Sequence, residues 1–101
     1  MSVVDVGRVL KTTLRDGKVV IGLKEVRNAI NEGSAKMVVI AQNCPQREEL
    51  QKAISDKGVS YYEYPGTGVD LGYTCGKPFS ISAFAVIDAG GTDILKLAKK
   101  R

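Results

Sequence analysis

The sequence predicts an α/β sandwich with helices on both faces of a central sheet. Helix-like and strand-like segments alternate along the chain. One apolar run, at 36–41, is continuous, as in a strand buried on both faces. Glycine or proline stands at most junctions, and no linker or internal repeat interrupts the pattern. At 101 residues, 44% hydrophobic and 26% charged, the chain has the size and balance of one globular domain spanning 1–101.

Each element follows in order. Residues 3–14 place Val3, Val6, Val9, Leu10 and Leu14 at helical spacing, and Asp16-Gly17 ends that helix. Residues 18–21 form a short β-branched strand closed by Gly22. Residues 23–32 turn Leu23, Val26, Ala29 and Ile30 to one face, with Gly33 as the stop. After the apolar strand, Pro45 suits the first position of a helix at 45–57, whose inner face is Leu50, Ala53 and Ile54. A third strand is expected at 59–64, a short helix at 69–74 and a fourth strand at 81–87. A turn at 88–91 and a last helical turn at 93–98 complete the chain.

Composition removes several functions. There is no histidine, hence no usual general base or zinc ligand and no Ser-His or Cys-His nucleophile. Cys44 and Cys75 are far apart in sequence and are expected to stay reduced. No cofactor, metal or small-molecule substrate is expected. No apolar run reaches the ~18 residues of a membrane helix, and the N-terminus lacks a secretory layout, so a cytoplasmic protein is expected. Net charge is +4, which favours an anionic partner. The basic residues are scattered, and Lys99-Lys100-Arg101 reads as a solvated end. Recognition of a nucleic acid would therefore be local and shaped.

Three strand-to-helix junctions could supply it. At the first, Gly22 permits close backbone approach, the new helix offers unpaired N–H groups, and Lys24 and Asn28 share a face. At the second, Asn43 suits either a helix cap or a base edge, since its amide both donates and accepts. The third, at 66–72, invites a dinucleotide reading, but Leu71 occupies the place of the third glycine. Gly68, Gly72 and Gly76 instead recur as one bare helical face for close packing on the sheet. Phe79, in the loop before the fourth strand, either plugs the core's edge or packs on an unstacked base. For Phe79 to join the other junctions, the fourth strand must run antiparallel. A parallel one would put it a strand length away, ~17–20 Å.

Five stretches in this order, at 20–24 (VIGLK), 35–45 (AKMVVIAQNCP), 61–64 (YYEY), 68–72 (GVDLG) and 76–79 (GKPF), carry a resemblance across nearly the whole chain. The sequence resembles the archaeal and eukaryotic large-subunit ribosomal L-thirty-e family, a branch of the L-seven-Ae kink-turn-binding superfamily. Lys24-Glu25, where the modification-guide branch has Asn-Glu, points to the ribosomal branch. The resemblance implies a three-layer α-β-α sandwich around a four-stranded mixed sheet, order 1-4-2-3, with strand 4 antiparallel. It implies a non-enzymatic protein that binds a kink-turn, an RNA internal loop with tandem sheared G·A pairs and a sharp bend. Ribosomal neighbours are implied too, and a monomer when free.

The implied RNA-binding residues fall in three groups. Gly22, Leu23, Lys24, Glu25, Arg27 and Asn28 surround the start of the second helix. Asn43 lies near the G·A pairs, beside Gly68, Val69 and Asp70. Phe79 and Ser80 meet the bulged side. Some relatives carry lysine at the position of Asn28; here Arg27 is the cation left to take a phosphate. Two other functions compete: a stand-alone kink-turn module of a guide-RNA particle, and a small nucleotide-binding enzyme using the 66–72 turn.

Overall fold

The centre of the fold is β2, Met37–Ala41, every residue of which is buried. The structure, a computed structural model, describes residues 3–88 and 90. The basic tail at 99–101 and the helical turn expected at 93–98 lie outside the described residues, as do Ala89 and Gly91 of the turn at 88–91. Around β2 the chain runs α1 (Val3–Asp16), β1 (Lys18–Ile21), α2 (Leu23–Glu32), then β2, α3 (Arg47–Lys57), β3 (Ser60–Tyr64), α4 (Gly68–Thr74) and β4 (Ala83–Asp88).

The four strands form one mixed sheet in the order β1-β4-β2-β3. β2 and β3 pair in parallel, with Val38 opposite Tyr61. β4 runs antiparallel to both its neighbours, pairing Phe84 with Ile21 on one side and with Val39 on the other. Strand order and the direction of β4 are therefore as expected.

Alternation along the buried strands explains the three layers. Met37, Val39 and Ala41 of β2, with Phe84 and Val86 of β4, meet Leu10 of α1 and Leu71 of α4. Val38, Ile40, Ala83 and Ala85 face the other way, onto Val26, Ala29 and Ile30 of α2 and Leu50 and Ile54 of α3. Each large aliphatic side chain so buried contributes ~1.5–3 kcal/mol, so the apolar stripes of four helices, two on each face of the sheet, define the sandwich. Thr13 lies fully buried on α1, its hydroxyl bonded to the Val9 carbonyl at 2.7 Å, a core position the apolar pattern did not mark. Gly33 and Gly58 close α2 and α3, their N–H groups bonding back to the carbonyls of Ile30 and Ser55.

Two boundaries differ for a physical reason. α3 begins at Arg47, capped by Gln46, so Pro45 is not its first residue; Pro45 sits in a turn in which the Arg47 N–H bonds to the Cys44 carbonyl. β4 begins at Ala83 rather than Ile81, because the Ile81 N–H is drawn to the Gly68 carbonyl at 2.9 Å instead of a neighbouring strand. Among the described residues no helix is long and apolar enough to cross a membrane.

Candidate RNA interface

Short backbone hydrogen bonds draw the junctions together. The Gly22 N–H reaches the Ala83 carbonyl at 3.2 Å, and the Ala41 N–H reaches that of Ser82 at 2.8 Å. The Gln42 N–H bonds to the Gly66 carbonyl at 2.8 Å. Together with the Ile81–Gly68 bond, these tie the ends of β1, β2 and β3 to the segment entering β4. Antiparallel β4 thus delivers Phe79 and Ser80 to the same edge as Gly22, Asn43 and Gly68.

At the first junction Gly22 caps α2 with φ +112°, a conformation that L side chains rarely adopt. No atom lies within 4 Å of where its Cβ would stand, so the backbone there faces open space. No side chain caps α2, which leaves its first-turn N–H groups available to an anion. Lys24, Glu25 and Asn28 are exposed and Leu23 is half-buried. Arg27 is not a free cation: its guanidinium reaches both Gln46 Oε1 and Glu49 Oε2 at 2.7 Å. An ion pair this exposed is worth only ~0.2–1 kcal/mol, and both bonds leave from Nη2, so Nε and Nη1 bond to no described residue.

Asn43 is exposed, and its side-chain oxygen accepts the Gly68 N–H at 2.8 Å. The alternative role as a cap of α3 is overturned, since Gln46 occupies that position. Once Oδ1 is engaged, the orientation of the amide is set. The Nδ2 group of this exposed residue bonds to no described residue and remains a donor.

The third junction closes on itself. Thr67 and Asp70 form a reciprocal capping box, with bonds of 3.3 Å to the Asp70 N–H and 3.2 Å from the Thr67 N–H. The Gly68 N–H is used by Asn43, and a Cβ on Gly72 would stand 1.9 Å from the Phe79 carbonyl oxygen. The N–H groups of Thr67, Gly68 and Asp70 are thus engaged within the protein, which argues against a pyrophosphate cradle at this turn. The bare glycine face serves the 79–81 segment rather than the sheet. Gly76 does not share it, for it lies past the helix end, at φ +77°, against the stem of Lys11. Val69 stands 70% exposed on the outer side of α4.

Phe79 is 52% exposed, so it does not plug the core. Ser80 beside it is exposed as well. Tyr73, at 84% exposure, lies close to Phe79 and was missed; its place four residues after Val69, outside the apolar stripe of α4, was the available signal.

The thiols are chemically quiet. Cys44 and Cys75 are buried in clusters on opposite faces of the sheet. Burial raises the pKa of Cys44 and pushes that of Cys75 up to about 11, so both stay protonated at neutral pH. No group of three or more potential metal-ligating side chains occurs among the described residues.

Comparison with known proteins agrees in kind. Residues 5–96 match the ribosomal protein L7Ae/L30e/S12e/Gadd45 family. The large ribosomal subunit protein eL30 of Methanosarcina mazei is 46% identical over 92 residues, covering 91% of this chain and 87% of its own length. That of Methanospirillum hungatei is 46% identical, covering 89% and 94%. The Tetrahymena thermophila protein of the same name is 39% identical, covering 86% of each.

Proposed function

Because this chain belongs to the ribosomal protein L7Ae/L30e/S12e/Gadd45 family, we propose that it is a structural constituent of the large ribosomal subunit that binds a kink-turn in RNA. The observation that carries the reading is the convergence of Gly22, Asn43, Gly68 and Phe79 on one sheet edge, held by hydrogen bonds of 2.8–3.2 Å. Distorted RNA is recognised by shape, amides and stacking rather than through its narrow major groove. Each of these has a provider.

The open backbone at Gly22 and the uncapped start of α2 meet the phosphates at the bend, with Lys24 supplying charge. The Nδ2 of Asn43 donates to a base edge of a sheared G·A pair. Leu23, Glu25, Val69 and Asp70 shape the walls of the contact, and Asp70 does so by fixing the turn that holds Gly68. Phe79 packs on an unstacked base with Ser80 beside its backbone. The protein acts as a single domain, as a monomer until it joins the particle, and in the cytoplasm with its RNA and protein neighbours.

The relatives named above, ribosomal proteins in both archaea and a ciliate, favour the ribosome over a guide-RNA particle. A gel-shift tests the RNA specificity, using a kink-turn RNA and the same RNA with its G·A pairs changed to Watson–Crick pairs. Tight binding to the first and weak binding to the second is expected; equal affinity overturns the proposal. Co-purification with large-subunit particles tests the assignment to the ribosome.

A further inference from the structure

The large apolar side chains that stand exposed among the described residues are Val69, Tyr73 and Phe79, and all three line one shallow groove. Lys77, Pro78 and Ser80 complete it. Such concentration is informative, since scattered exposed apolar groups are ordinary but a shared patch marks a contact. One wall of the groove, α4, is tied to the sheet. The Tyr64 hydroxyl and Thr74 Oγ1 lie 2.7 Å apart, and Leu71 is fully buried, which anchors α4 to the sheet beneath. On the groove side, Gly72 packs directly against the Phe79 backbone.

Its chemistry selects among partners. One cation and no carboxylate line the groove, and Lys77 makes no ion pair among the described residues. Two aromatic rings beside an uncommitted ammonium group suit a nucleotide, which offers a π-face and a phosphate together. The groove also continues directly from Phe79 and Ser80, the residues assigned to the bulged side of the RNA.

We propose that this groove holds a second unstacked nucleotide of the bound RNA, with its base on Tyr73 and its phosphate at Lys77. The inference rests on the RNA-binding function above and extends the interface outward along α4, beyond Phe79.

The test uses the full chain and a kink-turn RNA with 2-aminopurine placed in turn at each unpaired position. One position is expected to be quenched by the wild type and by Tyr73→Phe but not by Tyr73→Ala. Tyr73→Ala should weaken binding about tenfold, as the loss of one stacked base does. Lys77→Gln should lower the slope of log K against log salt by about 0.7–0.9. Tyr73 is exposed and Lys77 half-buried, and circular dichroism verifies that the variants fold.

If wild type prefers the kink-turn but Tyr73→Ala binds it within about twofold of wild type, this proposal falls and the function above stands. Exclusion of that same variant from large-subunit particles would then assign the groove to a protein neighbour. If wild type does not distinguish the two RNAs of the gel-shift, the kink-turn reading falls, while a Tyr73-dependent quench would still uphold the groove as a nucleotide site. Absence of both effects overturns both.

Discussion

Replacing Asn43 separates what its two amide atoms do. Its oxygen holds the N–H of Gly68, a buried residue, at 2.8 Å, while its nitrogen bonds to no described residue. Asn43→Ala removes both atoms and strands the Gly68 N–H, which costs ~1–3 kcal/mol of stability. At 4–8 °C per kcal/mol for a domain of this size, the melting temperature should fall by roughly 4–24 °C. Asn43→Asp keeps an oxygen for Gly68 and, being charged, makes a bond at least as strong, so stability should hold or rise. Its second oxygen, however, replaces the donor with an anion. Loss of the base contact removes ~1–3 kcal/mol, roughly 5- to 150-fold in affinity, before any repulsion from phosphate is counted. Thermal melting followed by RNA titration reads the two effects on the same samples. Undiminished affinity in Asn43→Asp would refute the Nδ2 donor, and an unshifted melting temperature in Asn43→Ala would refute the structural bond.

Other perturbations probe the remaining pieces. Phe79→Ala should weaken RNA binding by ~1–3 kcal/mol, the worth of a stacked base, with little change in melting temperature because the ring is already half exposed. Gly72→Ala places a Cβ 1.9 Å from the Phe79 carbonyl oxygen; it should destabilise by ~1–3 kcal/mol or more, and any folded fraction should bind RNA poorly because the 79–81 segment has moved. Salt titration should give a slope of magnitude about 2–4, since Lys24, Lys77 and the start of α2 meet only a few phosphates; a magnitude of about ten would bring in the scattered lysines and the tail. Replacing Cys44 and Cys75 with serine should leave RNA affinity unchanged. In the native protein at pH 8 both thiols should react slowly with a disulfide reagent, because a raised pKa leaves little thiolate at that pH.

Much of this was legible in the sequence because it depends on local periodicity. The run at 36–41 announced a strand covered on both faces, and β2 is buried throughout. The glycines at 33 and 58 marked helix ends. What escaped depends on contacts between distant residues. Asn43 precedes Pro45 in a pattern that suits a local cap, and only the approach of Gly68, 25 positions later, turns its oxygen elsewhere. Arg27 read as a free cation because Glu49 meets it across the gap between α2 and α3, 22 positions on. Gly76 shared the spacing of Gly68 and Gly72, yet α4 ends before reaching it. Tyr73 carried only a weak signal, its place four residues after Val69, and that spacing becomes exposure only once Leu71 fixes which face of α4 meets the sheet.

The direction of β4 joins the fold to its site. A parallel fourth strand would bury the same Phe84 and Val86 but leave Phe79 at the far edge, ~17–20 Å from Asn43. With β4 antiparallel, its entry segment passes between the ends of the other strands and becomes the strut that aligns them. Ile81 bonds to Gly68, Ser82 to Ala41 and Ala83 to Gly22, one junction each in three successive residues. The geometry of the patch is thus carried by backbone bonds, not by long side chains that would have to be ordered on binding. Each rotamer-rich side chain immobilised at an interface costs ~0.5–1.5 kcal/mol, and among the groups proposed here to meet the RNA only Lys24, Glu25 and Lys77 are of that kind. A site so assembled recognises a preformed RNA shape with modest charge, which accords with a chain that carries a net +4 without a dense basic cluster in its described part. Loosening the strut should therefore damage binding at all three junctions together. Gly72→Ala, which displaces the segment from its Phe79 end, should lower affinity by more than Phe79→Ala does, although it removes no group that touches RNA. Equal losses in the two variants, measured on folded protein, would mean that Phe79 alone matters and that the junctions are aligned by something else.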